Sequence, residues 1–264
     1  MQFACNWSIA LKALLEKQAI DVDYIKSGAF GSFDEQYAAM RSLKPILVHG
    51  LGYHENTGMA DMNVIDFVTA NRVIGQCCSP HYGLHLGIRK ADMSLQMTDS
   101  DIYERMCRQI HFFKKNIKVP LLLENSPDTP NDRLEFDLYP YNSPEQVSKI
   151  IMDNDVGLLL DITHAKLTAK FRNLNIYDYL GAFPLKRVKE IHTNGSGFDS
   201  EGFPKDTHQV MEDEDYALLE WVLGRTNPEI VTIEYIGAEA EEYEAVLSST
   251  EYQIKEIRKI VGGH

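Results

Sequence analysis

Short apolar runs that end in a histidine or a carboxylate recur along this chain. ILVH closes at His49, LLLE at Glu124, GLLLD at Asp161, EIH at His192 and TIE at Glu234. A brief apolar run bounded by turn-forming residues reads as a strand buried on both faces, the kind that builds parallel sheets. Between these runs the apolar positions fall at helical spacing. Ser8 is a candidate N-cap for a helix over Ile9–Lys17, and Pro45 ends a helical pattern over Phe33–Leu43. Ser143-Pro144-Glu145 has the cap-then-proline start of a helix that runs to Asp153.

Taken in order, the pattern predicts strands at Met1–Trp7, Val22–Lys26, Ile46–His49, Val73–Ser79, Val119–Glu124, Gly157–Asp161, Val188–His192 and Ile230–Tyr235. Further helices are predicted at Met62–Arg72, Asp101–Lys115, from Ile162 to about Leu180, at Asp213–Leu223 and at Glu239–Ile260. Alternating strands and helices imply a parallel sheet with helices outside it. Eight such units predict a closed (β/α)8 TIM barrel in preference to an open doubly wound sheet. The 264 residues suit one barrel domain over 1–264, since such barrels run to roughly 250 residues. The polar stretches Asn125–Asn142 and Thr193–Met211 are long enough to be lids over a site.

Composition sharpens this picture in two ways. There are 26 Lys+Arg against 39 Asp+Glu, a net charge of -13, which opposes the phosphate neutralisation that nucleic-acid binding depends on. The four cysteines, Cys5, Cys77, Cys78 and Cys107, have no zinc-finger spacing and read as reduced thiols. No apolar run approaches the ~20 residues of a membrane span, and no signal-peptide pattern opens the chain. A soluble cytoplasmic protein with no membrane partner is expected.

In such barrels the active site lies at the C-terminal ends of the strands. That rule selects His49, His81, Glu124, Asp161, His164, His192 and Glu234. Asp206-Thr207-His208 adds two more side chains, whose i, i+2 spacing aims both the same way in an extended segment. Nine imidazoles and carboxylates are too many for one tetrahedral ion, and suit two or three divalent ions that share carboxylates. A His/Asp/Glu set without thiolates points to Zn, Mn or Fe. Carboxylates gathered without counter-charge would repel one another, which is a physical reason to expect cations. Glu124, Asp161, His164 and Glu234 are the candidates for catalysis within the set. His54 and His85 fall deeper in loops, behind the ligands or in solvent, and His111 lies on a helix surface. Trp7 and Trp221 are expected in the core.

The runs at Leu47–Gly50, Ser79–His81, Leu121–Asn125, Gly157–Asp161, Glu190–His192 and Asp206–His208 resemble a bacterial family of multinuclear non-haem iron oxidases. Its studied members modify peptide cysteines, as in methanobactin biosynthesis. That family lies in the xylose isomerase-like superfamily, which also contains endonuclease IV, and the D-x-x-H of Asp161 and His164 is similar to that enzyme's motif. The resemblance spans from about residue 45 to 235 and implies three ion positions. His49, His81 and Glu124 would hold one ion. Glu124 would bridge to a second, held with Asp161, His192 and Glu234, and His164, Asp206 and His208 would hold a third. It implies iron ahead of zinc or manganese, a peptide or small thiol as substrate, and a partner protein that delivers the peptide. The chain departs from the oxidase pattern at His164, where that branch usually has Asn, and from endonuclease IV at Gln209.

Three other functions fit the same residues. An endonuclease IV-like hydrolase would use metal-bound water on a phosphodiester. A sugar isomerase or epimerase would need a catalytic Lys or His beside the ions. A non-catalytic metal-binding protein would have a saturated site, whereas catalysis needs an open position. Arg89, Lys90 and Lys205 are candidate contacts for an anionic substrate.

Overall fold

The computed structural model describes residues 1–27, 33–50, 66–87, 90, 97–135, 142–237 and 242–263. The elements follow as β1 (Gln2–Asn6), α1 (Ile9–Glu16), β2 (Tyr24–Ser27), α2 (Phe33–Arg41), β3 (Ile46–His49), α3 (Phe67–Cys77), β4 (Tyr82–Leu86) and α4 (Asp99–Asn116). They continue with β5 (Leu121–Asn125), α5 (Asp132–Glu135), α6 (Pro144–Asn154), β6 (Gly157–Asp161), α7 (Ile162–Phe171), α8 (Ile176–Gly181) and β7 (Val188–Thr193). The chain ends with β8 (Gly195–Phe198), β9 (Pro204–Gln209), α9 (Asp213–Leu223), β10 (Ile230–Ile233) and α10 (Tyr243–Gly262).

Eight strands close a parallel barrel in the order β1-β10-β7-β6-β5-β4-β3-β2. This is the (β/α)8 fold that the strand–helix alternation predicts. Alternation along each strand divides the side chains between two environments. One set, including Phe3, Ile25, Val48, Leu84, Leu123, Leu160 and Ile233, packs outward in a cluster with helix residues such as Leu11, Ile74, Met106, Ile151 and Ile257. The other set lines the barrel. Ala4, Leu47 and Ile230, with Tyr24 against them, form a small apolar plug. Two residues further along those strands stand Asn6, His49, Thr232 and Lys26. A step of two residues is about 6.6 Å, so the interior turns from apolar to polar within one layer, toward the C-terminal ends of the strands.

The fourth strand corrects the sequence reading. Val73–Ser79 is not a strand: most of it is the second half of α3. Asp66 caps that helix, its carboxylate accepting from the backbone N–H of Val68 at 3.0 Å and of Thr69 at 3.1 Å. Cys78 ends it in the left-handed conformation, φ 54°. Ala70, Val73, Ile74 and Cys77 are its buried stripe, at helical spacing. The true fourth strand is Tyr82–Leu86. His81 therefore precedes the strand, at the end away from the mouth, and His85 lies within it.

The polar stretch after β7 is also more ordered than a plain lid. β8 and β9 pair as an antiparallel hairpin outside the barrel. Of the other expected lid, residues 136–141 lie outside the described residues, as do His54 and Arg89. Among the described residues no helix is long and apolar enough to cross a membrane.

Candidate metal centre

Glu124 on β5 is the hub of the polar layer and is 1 % exposed. Its Oε2 lies 2.8 Å from His49 Nε2 on β3 and 3.1 Å from His85 Nε2 on β4. Its Oε1 lies 3.0 Å from His192 Nδ1 on β7. The rings of His49 and His85 meet edge to face, with centroids 4.6 Å apart.

Asp161 ends β6 and is also the N-cap of α7. Its Oδ1 accepts from the backbone N–H of His164 at 2.7 Å. This is the physical content of the D-x-x-H spacing: a capping carboxylate and a side chain in the first turn face one centre. Asn125 clamps the strand end, with its Nδ2 donating to the Asp161 carbonyl and its Oδ1 accepting from the Asp161 N–H, each at 2.9 Å. His164 Nδ1 is 2.8 Å from the Asn125 carbonyl. A carbonyl only accepts, so Nδ1 carries a proton, and Nε2 is the nitrogen left to ligate once it gives up the proton it shares with a carboxylate. That Nε2 faces Asp206 Oδ2 at 3.0 Å. Asp206 is carried in by the hairpin and steadied by Asn194 Nδ2, which donates to its Oδ1 at 2.8 Å.

Glu234 follows β10. One oxygen, Oε1, takes the ammonium of Lys26 from β2. The other, Oε2, is 3.4 Å from His192 Nδ1 and 3.9 Å from His208 Nε2. Behind the hub lies a second buried carboxylate, Glu190, which contacts His81, His192 and Thr232.

Three sets of donor atoms converge, each with all its atoms within 4.8 Å of one another: His49, His85 and Glu124; Glu124, Asp161, His192 and Glu234; and Asp161, His164 and Asp206. Glu124 belongs to the first and second sets and Asp161 to the second and third, so the sets form a chain joined by carboxylates. The residues fit metal ions. Asp161 Oδ2 is buried without a hydrogen-bond partner, and His49 Nε2 and Glu124 Oε2 approach at 2.8 Å without hydrogen-bond geometry; buried polar atoms left so are costly. The donor set, imidazole plus carboxylate without thiolate, is that of first-row divalent ions.

Electrostatics agree. Burial pushes the Asp161 carboxyl up to about 6, and the charges of Glu124 and Asp206 push the same way. Burial pulls the His164 imidazole down, but Asp161, Asp206 and Glu124 outweigh it and hold the ring protonated well above its ordinary range. Burial drives His85 down to about 3. Burial also opposes the charge on Glu124, yet His85, His192 and His49 hold that carboxyl well below its ordinary value. Without cations, protons and the Lys26 ammonium are what offset the packed carboxylates.

Of the nine residues expected here, His49, Glu124, Asp161, His164, His192, Asp206 and Glu234 enter the three sets. His208 stands at the edge, its Nε2 3.5 Å from Asp206 Oδ2. His81 does not face the centre, because its Nε2 meets Glu190 Oε2 at 2.5 Å. His85, expected in a loop, takes the place given to His81. Lys26, Glu190 and Asn125 were not among the expected residues. Glu190 carried a usable signal, since it stands two positions before His192 and shares its face of the strand. Lys90 and Lys205 are exposed, as is His111 on α4.

A profile of the RiPP precursor modification enzymes MbnB/TglH/ChrH matches residues 23–257. A UPF0276 protein of Caulobacter vibrioides is 28% identical over 205 residues, covering 74% of this chain and 70% of that protein. Among solved structures, a xylose isomerase domain protein from Alicyclobacillus acidocaldarius superposes with a TM-score of 0.62 at 14% identity, over 98% of this chain and 99% of that one. Endonuclease IV from Thermus thermophilus superposes with a TM-score of 0.58 at 15% identity, over 97% of this chain and 100% of that one. These likenesses identify the fold as a xylose isomerase-like TIM barrel.

Proposed function

Since the chain belongs to the MbnB/TglH/ChrH family of RiPP precursor modification enzymes, we propose that it is an iron-dependent oxidase acting on a thiol of a peptide or small molecule. The observation that carries this reading is the chain of three donor sets joined through Glu124 and Asp161. Linked positions of this kind suit two or three divalent ions, iron first, with zinc or manganese as the alternatives. Bound iron would supply the redox chemistry toward dioxygen and thiol. The protein's own contribution is positional: His49 and His85 at the first position, His192 and Glu234 at the second, His164 and Asp206 at the third. His208 stands beside the third position and completes its ligand set in this reading. Glu124, Asp161, His164 and Glu234 are the residues whose loss would abolish turnover.

The hairpin β8–β9 brings Asp206 and His208 over the mouth and so borders the path of an incoming substrate. A peptide substrate implies a partner that delivers it. The net charge of -13 disfavours nucleic acid in that role. A second reading has one observation in its favour. Lys26 is a buried amine within the polar layer, the group that a sugar isomerase or epimerase requires. Its ammonium is engaged by Glu234, which places it with the ligands and weighs against a free catalytic role.

Metal analysis of protein reconstituted anaerobically, followed by oxygen uptake with thiol-containing peptides, tests the reading. Two or more iron ions per chain with thiol-dependent oxygen consumption are expected. Zinc-dependent phosphodiester cleavage, or ketose–aldose interconversion without oxygen uptake, would replace it with the hydrolase or the isomerase. Bound metal with none of these activities would favour a non-catalytic metal-binding protein.

A further inference from the structure

Glu190 is 2 % exposed and belongs to none of the three donor sets. Its Oε1 lies 3.1 Å from His192 Nε2 and accepts from Thr232 Oγ1 at 2.5 Å, and its Oε2 lies 2.5 Å from His81 Nε2. An ionised carboxylate only accepts, so the imidazoles of His81 and His192 each carry a proton on Nε2. Nδ1 is thereby the nitrogen turned to the second donor set, 3.0 Å from Glu124 Oε1 and 3.4 Å from Glu234 Oε2, and an ion there would replace any proton it shares with those carboxylates. Burying a carboxylate is expensive unless its hydrogen bonds are complete. Here three donors from three strand segments complete them, and the arrangement serves a ring that faces the candidate centre.

We propose that Glu190 is a positioning residue: it fixes His192 in the Nε2–H form and turns Nδ1 toward the second ion position, while His81 and Thr232 hold the Glu190 carboxylate. The inference rests on the metal reading above and adds to it the nitrogen through which His192 binds and the residue that selects it. It also gives His81 a part, behind the centre rather than in it. Carboxylate support of a ligating imidazole sets ring orientation and donor strength, and its loss typically weakens metal binding about 10–100-fold.

The test uses the full chain, labelled with nitrogen-15 and loaded with zinc alone. Zinc is first counted, and long-range proton–nitrogen correlation then reports which nitrogen of His192 bears the proton and which the metal. A proton on Nε2 and zinc on Nδ1 are expected, with Glu190→Ala weakening zinc at that position by about 10–100-fold in chelator competition. Zinc on Nε2, a proton on Nδ1, or unchanged affinity in Glu190→Ala would overturn the inference and leave the metal centre standing. Failure of the wild-type chain to bind zinc at all would overturn the centre itself, and the inference with it. If Glu190→Ala does not fold, the wild-type spectrum alone decides.

Discussion

His49 occupies the space that a side chain on Gly83 would need: a β-carbon at residue 83 would stand 2.6 Å from His49 Cδ2. The ring cannot retreat freely, because its Nε2 already stands 2.8 Å from Glu124 Oε2 and its edge meets His85. Gly83→Ala should displace His49 and weaken the ion at the first position by about tenfold or more, the scale seen when a ligand loses its support. Metal titration against a competing chelator measures it. Wild-type affinity in that variant would show that the His49 pose has no bearing on binding.

The two histidines around Gly83 should behave differently. His85→Ala removes a donor of the first set and should lower the ion count by one per chain. His81→Ala leaves all three donor sets intact and should keep the count while reducing affinity. Elemental analysis of the two variants side by side decides the matter. A count lowered by His81→Ala and kept by His85→Ala would reverse the assignment.

That pair also shows where the sequence was legible and where it was not. Strands such as Gly157–Asp161 are unbroken apolar runs with a polar tip, so their ends, and the ligands on them, stand out. The fourth strand, YGLHL, has a glycine and a histidine facing inward and looks like a loop. The preceding segment, rich in Val, Ile and Cys, looks like a strand. What identifies that segment as a helix is the spacing of Ala70, Val73, Ile74 and Cys77 together with the Asp66 cap. The misplaced strand put His81, and not His85, among the residues expected at the strand ends. Lys26 was placed in the second predicted strand, but its role depends on Glu234, 208 positions away, and no local pattern reveals that pairing.

Metal binding should release protons near neutral pH. Burial opposes the His164 imidazolium, but Asp161 and Asp206 keep it protonated above its ordinary range, and it must lose that proton to ligate. The Asp161 carboxyl, moved by burial from 3.8 to about 6, takes up its own proton only as pH falls below about 6. The stability that proton gives the metal-free fold is present below the ordinary carboxyl range and is lost as pH rises through about 6. Metal affinity runs the other way and should fall steeply as pH drops through about 6. Calorimetry in buffers of differing ionisation enthalpy counts the protons. Binding that is independent of pH between 5 and 8, with no proton release, would contradict the arrangement.

Asp128 should be a stability determinant away from the ions. It is fully buried and receives Arg133 through Nε at 2.6 Å and Nη2 at 2.9 Å, and Arg172 through Nε at 2.6 Å. It ties the segment after β5 to the end of α7. Asp128→Ala removes charged hydrogen bonds from two arginines that still reach solvent, a loss of about 1.5–3 kcal/mol. At this chain length the melting temperature should fall by roughly 3–10 °C. Differential scanning calorimetry checks it, and a drop of under about 2 °C would mean the cluster is dispensable.

Glu124 belongs to two donor sets, and its serving two ion positions at once is the central claim. Ion counting on anaerobically reconstituted wild type and Glu124→Gln tests this directly. Two or three ions per wild-type chain are predicted, with weakened binding at both the first and second positions in the variant. One ion or none in the wild type, or a variant with the wild type's count and affinities, would contradict it.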